Sequence, residues 1–133
     1  MKVYIDCGAY NGNTIKNFLL NPQYGSEYKI YAFECNPVFK NFNYGNNVII
    51  INKACWIYDG EISFYINPKN PKIEGPSIYK EKVTGGLDKE HPISVPCFDF
   101  STWLINTFSK EDYIVIKMNI EGAEYDVLEK CIN

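Results

Sequence analysis

Arginine is absent from this chain, and all thirteen basic side chains are lysine. Without a guanidinium there is no planar, two-pronged clamp for a phosphate or carboxylate ligand. Histidine occurs once, at His91. No apolar run approaches the roughly 20 residues that a membrane-spanning helix needs, so no membrane partner is expected. The five cysteines (Cys7, Cys35, Cys55, Cys97 and Cys131) are odd in number and form no C-x-x-C pair. That spacing excludes zinc ribbons and a disulfide framework, and it points to reduced thiols in a cytoplasmic protein. Sixteen carboxylates against thirteen lysines leave a formal charge of −3, so nucleic acid is not expected as a partner. Nor is there an evident set of hard ligands for a metal.

What is present suffices for one folded domain. The chain has 133 residues, of which 46% are hydrophobic and 16% aromatic. Lys2–Cys7 alternates as a strand, Gly8–Gly12 is a turn, and Asn13–Leu20 has Ile15, Phe18 and Leu19 at helical spacing. Lys29–Glu34 reads as a second strand, followed by a short helix capped by Asn36 with Pro37 at its first position. Val48–Asn52 has the continuous apolar pattern of a buried parallel strand. Ala54–Ile57 and Glu61–Ile66 flank Tyr58-Asp59-Gly60 and predict a hairpin. Asn67–Pro92, with Pro68, Pro71, Pro76 and Pro92, predicts a long loop or lid. Ile93–Cys97, Asp99–Phe108, Tyr113–Met118 and Glu121–Cys131 follow as strand, helix, strand and helix. Ala123, Val127, Leu128 and Cys131 share one face of the last helix. This alternation predicts a mostly parallel α/β sheet with right-handed crossovers.

Three segments carry chemistry. Asp6-x-Gly8-Ala9-x-x-Gly12 joins a strand to a helix, where glycines allow a sharp turn and helix amides face a ligand carboxylate. Glu34 ends the second strand, where a carboxylate can accept both hydroxyls of an adenosine ribose or simply cap the strand. It lies 22 residues past Gly12, which also suits a nicotinamide cofactor. Dinucleotide binding, however, wants G-x-G-x-x-G, and here Asp6 stands where the first glycine belongs. The third segment, Ile116–Glu124, brings polar groups to a strand's C-terminal end, the edge where open α/β sheets bind ligands. Glu121 and Glu124 equally suit a helix N-terminus. Of the isolated residues, His91 reads as a solvated loop side chain, Trp56 and Trp103 as core, and Tyr10 as a neighbour of the turn's ligand or of the first helix.

Together, D-C-G-A-Y-N-G-N-T, Y-A-F-E-C-N-P, N-K-A-C-W and I-K-M-N-I-E-G-A-E-Y-D-V-L resemble, in order, the blocks of FkbM-type methyltransferases over residues 4–128. The resemblance implies a Rossmann-like class I methyltransferase sandwich, with S-adenosylmethionine as methyl donor and a hydroxyl of a sugar or small natural product as acceptor. It implies cofactor contacts at Asp6, Gly8, Ala9, Gly12, Glu34 and Ala54, and it places Ser77-Ile78-Tyr79 near the cofactor; Tyr10 in the turn and Asn36 after Glu34 are expected to join them. The family usually has Asp where this chain has Asn119. An amide cannot serve as a base, so Glu121 is the expected base, with Lys117 and Asn119 lining the site. The other readings are a cofactor-binding module without catalysis and a nicotinamide oxidoreductase. Family domains normally continue past the last helix. The chain is therefore expected to be truncated on that side, with strand Tyr113–Met118 buried on both faces and its edge covered by further polypeptide or a second copy.

Overall fold

A computed structural model describes residues 1–21, 27–39, 47–70, 76–79, 82 and 86–133. Four strands form a parallel sheet in the order β3-β2-β1-β7: β1 (Lys2–Cys7), β2 (Tyr28–Phe33), β3 (Val48–Ile51) and β7 (Tyr113–Met118). Cys7 is in register with Phe33 on one side and with Met118 on the other. Thus β1, β2 and β7 end level, and the loops that follow them meet at one edge. The first crossover is helix α1 (Asn13–Leu20), which buries Ile15 beside Tyr4, Tyr28 and Ile30. Phe18 stacks on the Tyr4 ring at 4.2 Å between centroids. After β2 comes a single 3-10 turn (Pro37–Phe39), with the Asn36 carboxamide accepting from the Val38 N–H at 3.2 Å.

The expected hairpin is not formed. β4 (Ala54–Trp56) and β5 (Gly60–Phe64) both pair with β6 (Ile93–Asp99), which lies between them: Ala54 and Gly60 are opposite Cys97 on its two edges. The Tyr58–Gly60 turn wraps the end of β6, where the Asp59 carboxylate accepts from the Asp99 N–H at 3.0 Å. A three-residue turn can join strands that do not pair when a third strand offers both edges and buries Val95, Cys97 and Phe98.

β6 runs directly into α2 (Phe100–Thr107), whose N-terminus Asp99 caps by accepting from the Thr102 N–H at 3.1 Å. The principal core lies between this helix, the parallel sheet and α3 (Glu124–Ile132), with Phe33, Phe98 and Phe100 around Trp103. α3 begins three residues later than its pattern predicts. Glu121 and Gly122 have φ of +56° and +105°, values no α-helix contains. On α3, Val127 is buried but Leu128 is 47% exposed, so Leu128 does not share the core face. Nor is β7 buried on both faces within this chain. It is the edge strand, paired only with β1 among the described residues, and Tyr113, Val115 and Ile116 are exposed. Of the 67–92 loop, the described part includes Ser77, which bridges Tyr65; residues 71–75, 80, 81 and 83–85 lie outside the described residues. No helix among the described residues is long and apolar enough to cross a membrane.

Candidate functional site

The loops after β1, β2 and β7 converge at the sheet edge where the strand order switches direction, the usual ligand position in such sheets. The first of them turns sharply through Gly8 at φ +87°, and the Gly8 and Ala9 amides both donate to the Phe33 carbonyl (2.9 and 3.0 Å). A Cβ on Gly8 would stand 2.1 Å from the Asn119 carbonyl oxygen, so glycine is required by the neighbouring loop's backbone as well as by φ. Gly12, at φ +80°, starts α1 through its carbonyl, which accepts from the Lys16 N–H at 2.9 Å.

Glu34 follows β2. One carboxylate oxygen accepts from the Tyr10 N–H and the other from the Asn36 N–H, each at 2.8 Å. Burial pushes its carboxyl above the ordinary 4.5, although both N–H donors pull the other way. A carboxylate has about four acceptor positions, so two remain for donors from a ligand. Tyr10 itself has φ +53°, an uncommon conformation for a bulky residue, and its ring packs edge-on against Phe39 at 4.9 Å.

Beneath the glycine turn, Asp6 is wholly buried and pairs with Lys117, which stands opposite it in the β1–β7 register. The ammonium donates to Asp6 Oδ1 at 2.9 Å and to the Gly8 carbonyl at 3.0 Å, tying strand and turn together. Asp6 Oδ2 is buried and has no hydrogen-bond partner among the described residues. Desolvation holds the Asp6 carboxyl above its ordinary 3.8 despite the lysine.

The loop after β7 is a tight turn over residues 119–123. The Glu124 carboxylate stabilises it by accepting from the Ile120 N–H (2.9 Å) and the Gly122 N–H (3.1 Å). Glu124 is therefore a capping residue. Glu121, left-handed at φ +56°, is held from outside the turn: its carbonyl accepts from Ser77 Oγ at 2.9 Å and its Oε2 from the Lys82 ammonium at 2.9 Å. The Tyr79 ring covers Gly122, and its hydroxyl donates to Asp126.

These loops enclose about 660 Å³ of empty space, open solvent at the mouth included. Gly8, Tyr10, Glu34, Asn36, Ala54, Asn119 and Glu121 line it. Phe33, Phe39, Phe64, Ile78 and the Cys35 and Cys55 thiols supply most of the apolar wall. Burial pushes both thiols well above their ordinary range, so they are inert wall groups and not nucleophiles. Asp6, Ala9, Gly12 and Lys117 do not line the cavity. Ala9 and Gly12 are buried in the turn, and Lys117 with Asp6 props it from below. His91 is exposed and contacts Asp88 at 3.0 Å, outside the cavity. Two features escaped sequence reasoning. No local pattern marks Lys82, and none sets Phe39 or Phe64 apart from the other aromatic residues.

A family model described as the methyltransferase FkbM domain matches residues 6–132. The chain belongs to the FkbM methyltransferase family. Its mostly parallel sheet with helices on both faces is the Rossmann-like α/β fold expected of such a methyltransferase. No curated protein and no solved structure matches the chain significantly.

Proposed function

We propose that this FkbM-family domain is an S-adenosylmethionine-dependent O-methyltransferase of the cytoplasm, acting on a hydroxyl of a sugar or small natural product. One observation carries the reading: a half-buried carboxylate, Glu34, sits at the C-terminal end of β2 on the wall of a largely apolar cavity. The residues suit an adenosyl group. Glu34 keeps acceptor positions for a ribose diol, while Ala54, Phe39 and Phe64 offer an apolar slot for a flat base. Asp6, wholly buried beneath the glycine turn, supports it through Lys117 and does not reach the cavity. No lysine lines the cavity among the described residues, which disfavours a pyrophosphate and hence a nicotinamide dinucleotide.

When bound, the cofactor supplies a methyl carbon on a sulfonium sulfur, which keeps the bonding electron pair as an acceptor oxygen takes the methyl. The protein's share is placement and proton removal. Glu34 and Asn36 fix the nucleoside end. Asp6, Lys117 and Gly8 shape the turn against which the amino acid end lies. Asn119 and Glu121 meet the acceptor, and Glu121 receives its hydroxyl proton.

Asn119 favours a second reading, a cofactor-binding module without catalysis, because it puts an amide where the family usually has a carboxylate. Incubation with tritium-labelled S-adenosylmethionine and a panel of methyl glycosides of hexoses separates the two. Label in a glycoside supports the transferase. S-adenosylhomocysteine binding without label in any glycoside supports the binding module. Failure to bind S-adenosylhomocysteine contradicts both.

A further inference from the structure

The carboxylate assigned to the acceptor proton is held in place by a segment distant in the chain. Ser77 lies 44 residues before Glu121 and is 1% exposed, yet its hydroxyl donates to the Glu121 carbonyl. Lys82 lies 39 residues before it, and the ion pair at Oε2 is mostly shielded, with side-chain exposures of 16% and 29%. The same segment is anchored twice more, through Tyr65 to Ser77 and through Tyr79 to Asp126. Glu121 is thereby kept in a left-handed conformation that costs a non-glycine residue of order 1–3 kcal/mol. Oε2 is committed to Lys82. Oε1 has no partner among the described residues, and Glu121 lines the cavity. A backbone held in a strained conformation, one oxygen fixed and one uncommitted, is a carboxylate arranged in advance for a single donor.

We propose that Lys82 is a positioning residue for methyl transfer, acting through Glu121. By holding Oε2, it turns Oε1 toward the acceptor hydroxyl, while Ser77 fixes the backbone beneath. The inference rests on the transferase reading above. The O–H proton goes to Oε1, the oxygen's electron pair makes the bond to the methyl carbon, and the carbon–sulfur pair leaves with sulfur. Lys82 neither gives nor takes a proton. It does not line the cavity, so its removal leaves cofactor binding alone.

The test compares the unmodified chain with Lys82→Met and Lys82→Arg. It measures the S-adenosylhomocysteine dissociation constant by calorimetry, and kcat and acceptor KM with the methyl glycoside that takes most label. The expected result for Lys82→Met is an unchanged dissociation constant, a little-changed KM and a kcat lower by roughly 10- to 100-fold, the scale of a misplaced reacting group. Lys82→Arg, which restores a cation to Oε2, should recover most of the loss. An unchanged kcat in Lys82→Met overturns the proposal, as does a parallel loss of cofactor affinity or a failure of Arg to rescue. Absence of label in every glycoside, with S-adenosylhomocysteine bound, overturns the seating of a hydroxyl at Glu121 but leaves the cofactor reading intact. Failure to bind S-adenosylhomocysteine at all places the error in the reading beneath.

Discussion

Replacing Glu34 by Gln keeps the side chain's shape and removes its charge. In the folded chain the carboxylate already accepts from Tyr10 and Asn36, so a ribose diol would add two charge-assisted bonds at the remaining positions. An amide offers one acceptor oxygen in place of two, and it is neutral. The expected loss is about 1–3 kcal/mol of S-adenosylhomocysteine affinity, or about 5- to 150-fold in dissociation constant. The Gln nitrogen also confronts one of the two backbone N–H donors, so the fold loses stability, and calorimetry is done well below the variant's melting temperature. A pH series adds a second signature. Burial raises the Glu34 carboxyl in the fold above 4.5, and ribose donors favour the charged form. Affinity should therefore be full at neutral pH and fall as pH drops through that raised value, earlier than an ordinary glutamate would allow. For the ligand-free fold the sign reverses: a raised pKa contributes stability below 4.5 that is lost as pH rises through the folded value. The Gln variant should bind with no such acid limb. An unchanged dissociation constant in Glu34→Gln, or the same acid limb in both proteins, refutes the ribose assignment.

Other perturbations probe the frame around the site. Gly8→Ala would place a Cβ 2.1 Å from the Asn119 carbonyl oxygen at φ +87°; a destabilisation of about 3 kcal/mol or more is expected by denaturant titration, and an unchanged midpoint would contradict the packing described. Asp99→Ala removes the α2 cap and the Lys130 partner and should cost about 1 kcal/mol. Partial burial of Asp99 opposes ionisation, but Lys130 and the Thr102 donors outweigh it and hold the carboxyl below 3.8. The deficit should therefore persist above pH 3.8 and vanish as the solution is acidified through the lower folded value, and a pH-independent deficit would contradict the pairing. Among the described residues β7 has one unpaired edge, which invites another strand; sedimentation should show self-association that Val115→Lys reduces, and a concentrated, unmodified monomer would count against it.

Much of the sheet was legible because its signals are local. The Lys2–Cys7 and Tyr113–Met118 strands have the predicted boundaries, and Asp99 caps α2 through a short-range contact with Thr102. The misreadings came where distant partners decide. The Ala54–Phe64 region shows a hairpin's turn chemistry, but β6, about 30 residues later in the chain, takes both edges. The start of α3 was displaced because Glu121 is held left-handed by Ser77 and Lys82, neither of which is near it in sequence. Glu34 at the end of a strand was readable from spacing, whereas its clasp by Tyr10 and Asn36 depends on the glycine turn folding back over β2. Lys117 shows the same limit: its position beside the site follows from the strand, but its commitment to Asp6 follows from the β1–β7 register.

The central claim, an adenosyl site built on Glu34 in an apolar cavity that no described lysine lines, is tested most directly by parallel calorimetric titrations of the unmodified chain with S-adenosylhomocysteine and with NADH. Saturable binding of S-adenosylhomocysteine at one site per chain, with no heat of binding from NADH, is the predicted result. Binding of NADH without S-adenosylhomocysteine, or of neither, would contradict it.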